Sequence, residues 1–339
     1  ASVMRVAREL PNRSRIGGAF LRRASVGPDD WNNTFAVDGQ LGIGEALTMS
    51  SFLARTETPG REGRDHIADV QGEWNSRNLR ASVNLREVGE DFNPELGFLP
   101  RAGHRYAQAH VLTYIRPERW GIREFRPHAS FFTFRDIDTG FQQTSRVHLD
   151  SHVEWEDGME LHPAWNWVRE GLEEPFEISP GVVVPAGTYE GWEAAFVFFT
   201  DESAPLSFNG GLNAGSFLSG DRVNPNGIVT ARSGSRLSAS VRLDHNEVSL
   251  PEGDFSVTLA GLRLAYFFTP RIYLQSLTQY SDQADSWSSN IRFGWLNTAG
   301  TGLFIVYNQA NGFDSLAMDT PLNRGLTVKF TKLFNVASW

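Results

Sequence analysis

Apolar and polar residues alternate one for one through most of this chain. Leu79, Ala81, Val83 and Leu85 alternate with Arg80, Ser82, Asn84 and Arg86. Trp287, Ser289, Ile291, Phe293 and Trp295 alternate with Ser288, Asn290, Arg292 and Gly294, and Leu237, Ala239, Val241 and Leu243 with Ser238, Ser240, Arg242 and Asp244. A period of two places successive side chains on opposite faces of a β-strand. Such segments recur from end to end, separated by Gly, Pro, Asn and Asp clusters, and predict about nineteen strands. The expected strands are 2–9, 14–25, 33–43, 46–57, 66–76, 78–89, 104–116, 121–135, 141–156, 159–169, 189–201, 205–218, 225–233, 235–247, 254–268, 271–281, 286–297, 300–309 and 323–336. No long helical period interrupts them.

The last expected strand carries Leu326, Val328, Phe330, Phe334 and Val336 on one face and Thr327, Lys329, Thr331 and Asn335 on the other. Lys332 departs from the apolar face, and Trp339 lies beyond Val336. A half-buried strand of a soluble sandwich has the same period, so alternation alone leaves that alternative open. The connections tip the balance. Long ones at 310–322, 248–253, 219–224, 170–188, 90–103 and 58–65 alternate with short ones at Ala299-Gly300, Thr269-Pro270, Gly234, Asp157-Gly158 and Ser76-Arg77. Short periplasmic turns and longer external loops are the habit of membrane barrels. The expectation is therefore all-β: a transmembrane antiparallel outer-membrane β-barrel, about 18–22 strands when complete. Residues 1–339 form a single barrel domain in this reading, located in the bacterial outer membrane. A soluble propeller or double sandwich is the alternative.

Composition changes this picture little but excludes other classes. The 339 residues are 40% hydrophobic and 21% charged with a net charge of −9, which fits neither a disordered chain nor a nucleic-acid binder. No apolar run approaches the roughly eighteen residues of a spanning helix, whereas lipid-facing strands escape hydropathy windows because only alternate residues are apolar. The chain has no cysteine, so disulfides and thiolate metal sites are excluded. It starts without a signal peptide, as expected of a mature or incomplete chain. Expected partners are outer-membrane lipid and lipopolysaccharide and the barrel assembly machinery, with no nucleic acid and no cofactor.

Parity adds a further expectation. With nineteen alternating segments and a periplasmic C-terminus, the first strand descends from the outer side, yet single-chain bacterial barrels have even strand numbers. Strands preceding Ala1, or strands of another chain, are expected to close the barrel, because an open edge in hydrocarbon costs several kcal/mol per unpaired backbone group. A count off by one, or parallel closure, are the alternatives.

Several stretches also carry a resemblance. LTMSSFLARTETPG (47–60), NLREVGEDFNPELGFLPR (84–101), EPFEISPGVVVPAG (174–187), DQADSWSSNIRFGW (282–295) and RGLTVKFTKLF (324–334) resemble an uncharacterised bacterial outer-membrane barrel family. Its members commonly carry a carbohydrate-binding family 9-like β-sandwich in front of the barrel. The resemblance runs over nearly the whole chain and implies that this sandwich and the first barrel strands precede Ala1. Its terminal strand implies an assembly signal made of Phe330, Phe334, Val336 and Trp339. No catalytic residues come with it.

The candidate chemistry lies on 144–154, where Arg146, His148, Asp150, His152 and Glu154 share one face and Val147, Leu149, Val153 and Trp155 the other. The charged face is expected to be the lumen, with His128 and His162 on neighbouring strands facing the same way. His148 and His152 are roughly 13 Å apart along the strand, so no ion is expected on both together. A hydrated wall of paired charges is the plainer reading and a ligand or metal role the sharper one. Asp91, Asn93, Asp221 and Asn224 are read as Asx-rich turns, with calcium binding as the alternative. The apolar run Val182–Val184 in the loop 173–189 is expected to fold inward or pack on a neighbour. Trp287, Trp295, Tyr266 and Phe268 are expected membrane-girdle residues, and a girdle explains Trp165, Trp167 and Trp192 more simply than a sugar platform.

Nucleophile-elbow, zinc-protease and phosphate-loop motifs are absent from the sequence. Three functions remain: a large pore or docking channel linked to saccharides through the family's front domain, a non-conducting anchor, and a membrane-embedded hydrolase without recognisable site residues.

Overall fold

The computed structural model describes residues 1–27, 30–298, 301–314 and 317–333. Phe334, Val336 and Trp339 of the expected assembly signal lie outside the described residues. The first unit, Ala1–Val153 with Ala164–Glu193 and Ser216–Ser219, contains β1 (Ser2–Leu10), β2 (Ser14–Ala24), β3 (Trp31–Ile43), β4 (Leu47–Glu57), β5 (His66–Asn75), β6 (Leu79–Val88), β7 (His104–Thr113) and β8 (Ile122–Asp136). Most of β9 (Gln142–Trp155) and β10 (Glu160–Leu172) follows, then the short β11 (Phe176–Ser179) and β12 (Val182–Val184) and the start of β13 (Gly187–Phe199). The second unit holds the rest of β13, most of β14 (Leu206–Phe217), and β15 (Gly220–Ser233), β16 (Leu237–Leu250), β17 (Gly253–Thr269), β18 (Ile272–Ser281), β19 (Ser286–Thr298), β20 (Thr301–Asp314) and β21 (Ala317–Thr331). Among the described residues nineteen strands belong to one sheet, and β11 and β12 form a separate hairpin. From β1 to β8, and again from β15 to β21, each strand pairs antiparallel with the next in sequence.

Register assigns the faces, because directly opposed residues point the same way. In the first unit Val37, Leu53, Val70 and Leu85 are exposed. The opposite face carries Asp38, Asp69, Asn84 and Arg86, and Asp69 stands across from Arg86 and accepts from its Nε at 2.6 Å. In the second unit Val229, Val241 and Leu262 lie opposite one another and exposed, while Asn224 donates to Asp244 on the polar side. Among the described residues nine hydrophobic side chains are buried, against thirteen polar or charged ones. A soluble β-protein shows the reverse balance, with apolar residues inside. Hydrogen bonds offset the burial of Asn32, Asn84, Asn224 and Thr56.

One apolar patch interrupts the polar face of the first unit. Ala54, Val88 and Phe92 are buried together, flanked by Ala36, Phe52, Ile67 and Leu99. Register puts Ala36, Ala54, Ile67 and Val88 on one face with Asp69 and Arg86, so Phe92 and Leu99 bring the connection 89–103 onto the polar side. Polar struts hold it there: Thr56 Oγ1 accepts from Asn93 N at 2.9 Å, Asn32 Nδ2 donates to Asn93 O at 2.8 Å, and Arg64 N donates to Asp91 Oδ2 at 3.1 Å. At Gly89 a Cβ would meet the Arg64 carbonyl oxygen at 1.8 Å, so glycine is required by close approach.

Several predicted connections prove to be strand. The stretch 219–224, expected as an external loop, is strand from Gly220 onward as the start of β15, leaving Leu218 and Ser219 between strands. The stretch 248–253 is likewise mostly β16 and β17. Asp221 and Asn224 carry turn-favouring side chains, yet both lie within β15, and Asn224 is buried with its amide bonded to Asp244 and the His245 carbonyl. A sheet with a hydrated face admits Asn and Asp as ordinary strand residues, which defeats turn signals based on them. Inside the loop expected at 170–188, Val182 and Val184 are buried in the β11–β12 hairpin.

Candidate functional site

The polar faces of β7, β8 and β9 bring four imidazoles and one carboxylate together. Leu112 stands opposite His128, and His110 two residues along β7 presents its ring to the His128 ring with centroids 5.7 Å apart. On β9 the alternation of His148, Asp150 and His152 sets three side chains in a row facing His128. The His128 ring lies 5.1 Å from that of His148 and 4.9 Å from that of His152, the latter pair at 88°. His152 Nε2, His148 Nε2 and His128 Nε2 lie 3.3, 3.5 and 3.8 Å from the same atom, Asp150 Oδ2. The Asp150 and His128 side chains keep only 8% and 9% of their surface exposed. Asp150 Oδ1 is buried and has no hydrogen-bond partner among the described residues.

Asn166 on β10 is the node behind this group. It is fully buried, accepts from Arg146 Nε at 3.0 Å, and donates through Nδ2 to Glu193 Oε1 at 3.0 Å. An arginine can only donate and a carboxylate here accepts, so the two ends of the amide are fixed. His148 Nδ1 lies 2.6 Å from Asn166 Oδ1 and must donate to it. His128 Nδ1 faces the Arg126 carbonyl oxygen at 3.4 Å in the same donating sense.

Of the residues singled out from sequence, His128, Arg146, His148, Asp150 and His152 come together. Glu154 and His162 fall in the second unit, where His162 contacts Glu160 at 2.9 Å. Sequence reading missed His110 and Asn166. Both sit on alternating strands, but only pairing register shows that they belong here. In the second unit Tyr266 and Phe268 are exposed with rings 4.8 Å apart, and Trp287 and Trp295 share their face through Tyr280 and Ile272. Phe330 is exposed opposite Leu303 on that face. Asp91 and Asn93 are struts of the 89–103 connection, with contacts suited to turn chemistry.

Sheet and faces together define a class: an all-β protein of the antiparallel β-barrel kind, its strands in one large sheet with exposed apolar side chains on one face and hydrogen-bonded polar ones on the other. No family model matches the sequence, and no curated protein matches it. Among solved structures, the siderophore receptor PirA from Acinetobacter baumannii is similar over 95% of this chain and 74% of its own, at 9% identity and a TM-score of 0.44. A BenF-like porin from Pseudomonas fluorescens Pf-5 is similar over 97% of this chain and 99% of its own, at 10% identity and a TM-score of 0.43.

Proposed function

We propose that the chain forms the wall of a bacterial outer-membrane barrel whose polar face lines a hydrated passage or docking pore. The observation that carries this reading is the inverted distribution of side chains: exposed Leu, Val and Phe on one face of a many-stranded antiparallel sheet, and ion-paired or amide-bonded residues on the other. Such a sheet has no use for its apolar face in water, and lipid is the solvent that accepts it. Mixed charges on the polar face, among them Arg80 with Glu73 and Arg86 with Asp69, suit a watery interior for neutral polar solutes. Saccharides are the solute class, a part of the proposal resting on the resemblance to a family with a carbohydrate-binding front domain. The 89–103 connection, held to the polar face by Phe92, narrows the passage.

Planar-bilayer recordings of the full chain folded in detergent test this. Stepwise conductance is expected, and it should rise when residues 90–100 are replaced by a short Gly-Ser linker. A protein that inserts into bilayers but never conducts would overturn the pore and leave a non-conducting anchor.

A further inference from the structure

We propose that His128, Asp150 and His152 form a binding site for one divalent transition-metal ion of the zinc class. Their ligand atoms all lie within 4.8 Å of one another. Zinc bonds of about 2.0–2.1 Å in tetrahedral geometry set neighbouring donor atoms about 3.3 Å apart. His152 Nε2 and Asp150 Oδ2 already have that separation, 3.3 Å, and His128 Nε2 at 3.8 Å from Asp150 Oδ2 needs only a small rotation. The His128 and His152 rings meet nearly at right angles with centroids 4.9 Å apart, and the Nε2 atoms of both lie within 3.8 Å of the same carboxylate oxygen.

The hydrogen bonds give an independent reason. His148 Nδ1 donates to Asn166 Oδ1 and His128 Nδ1 to the Arg126 carbonyl, so in the neutral rings the lone pair of each is on Nε2. Those two Nε2 atoms stand 3.2 Å apart, beside Asp150 Oδ2. Three electron-rich atoms therefore converge in a pocket largely closed to solvent, and Asp150 Oδ1 has no partner among the described residues to relieve them. A cation held by His128 Nε2 and Asp150 Oδ2, with His152 Nε2 3.3 Å from the same oxygen as the third donor, relieves this crowding while His148 stays beside the ligand set. An imidazole whose second nitrogen donates to a carbonyl is also the usual outer arrangement of a metal-bound histidine. Imidazole with a single carboxylate selects zinc, nickel, cobalt or copper over calcium and magnesium, which take all-oxygen sites. Strand pairing between β7 and β8 places His110 behind His128. The site does not depend on whether the barrel conducts.

The test is zinc binding by the full chain in detergent micelles, read by metal analysis after dialysis and by calorimetry. One zinc per chain is expected. Asp150→Asn, His128→Ala and His152→Ala should each weaken it about tenfold or more, while His148→Ala stays within about threefold. Cobalt should give the intense visible bands of a tetrahedral site, lost in Asp150→Asn. Heat-modifiable migration on gels, unchanged among the variants, shows that each is folded; Asp150→Asn, nearly isosteric, keeps the test sound if an alanine variant is not. No zinc on the wild-type chain, or undiminished zinc in Asp150→Asn, overturns the site. Loss in His148→Ala with retention in His152→Ala overturns the ligand set.

Discussion

At the residue scale, one buried amide does more than its size indicates. Asn166 accepts from Arg146 and His148 and donates to Glu193, so a single side chain sets the orientation of three polar neighbours on two other strands. Asn166→Ala should destabilise the folded protein by about 1–3 kcal/mol, the cost of leaving buried polar groups less well satisfied. Urea unfolding in lipid vesicles measures it; a variant as stable as wild type would show that water replaces the amide without loss. Asp282, in the turn between β18 and β19, is a second case. Burial pushes its carboxyl up, but hydrogen bonds from Thr258 outweigh that and hold it below the ordinary range. Its contribution is present above the unfolded carboxyl value and is lost as pH falls through the depressed one. Asp282→Asn should therefore flatten the loss of stability below about pH 4 relative to wild type, as seen in melting profiles against pH.

At the element scale, the two faces of a strand predict opposite responses to charge. Val241 is 57% exposed on the apolar face of β16, between Val229 and Leu262. Val241→Arg should cost about 2–4 kcal/mol of folding free energy in vesicles, and Ser240→Arg on the polar face less than about 1. Equal costs would remove the facing assigned here. Trp287 and Trp295 lie eight positions apart on β19, about 20 Å along the membrane normal for a strand tilted near 40°. Quenching by lipids brominated at known depths should place both rings near interfaces; a ring quenched best at the bilayer centre, or not at all, contradicts the girdle. In the 89–103 connection Phe92 is 5% exposed, and Phe92→Ala should loosen it enough for protease to cut there while the strands remain intact.

At the scale of the whole molecule, the balance of buried groups is the governing fact. Polar side chains outnumber hydrophobic ones among the buried described residues, so the sheet is held by backbone ladders, ion pairs and amides more than by an apolar core. That suits a chain whose apolar surface meets lipid, where each backbone group must find its partner within the protein.

The sequence by itself determined the strands and their facing. A side-chain period of two is a local property of extended backbone, so Leu79–Val88 and Ser286–Thr298 were legible without any partner. Nineteen expected strands match the nineteen of the sheet, and the shared face of His148, Asp150 and His152 was equally plain. Loop lengths were less legible. Asn and Asp favour turns in isolation, yet Asp221 and Asn224 are strand residues here, Asn224 on the hydrated face, a distinction that depends on the neighbouring strand. Only the tertiary structure decided which strands' residues meet. Register brings His110 and His128 to β9, and folding of 89–103 lays Phe92 on an apolar patch of the polar face. Alternation fixes where a side chain points, but its partner is set by pairing across strands, a non-local choice that no period along one strand encodes.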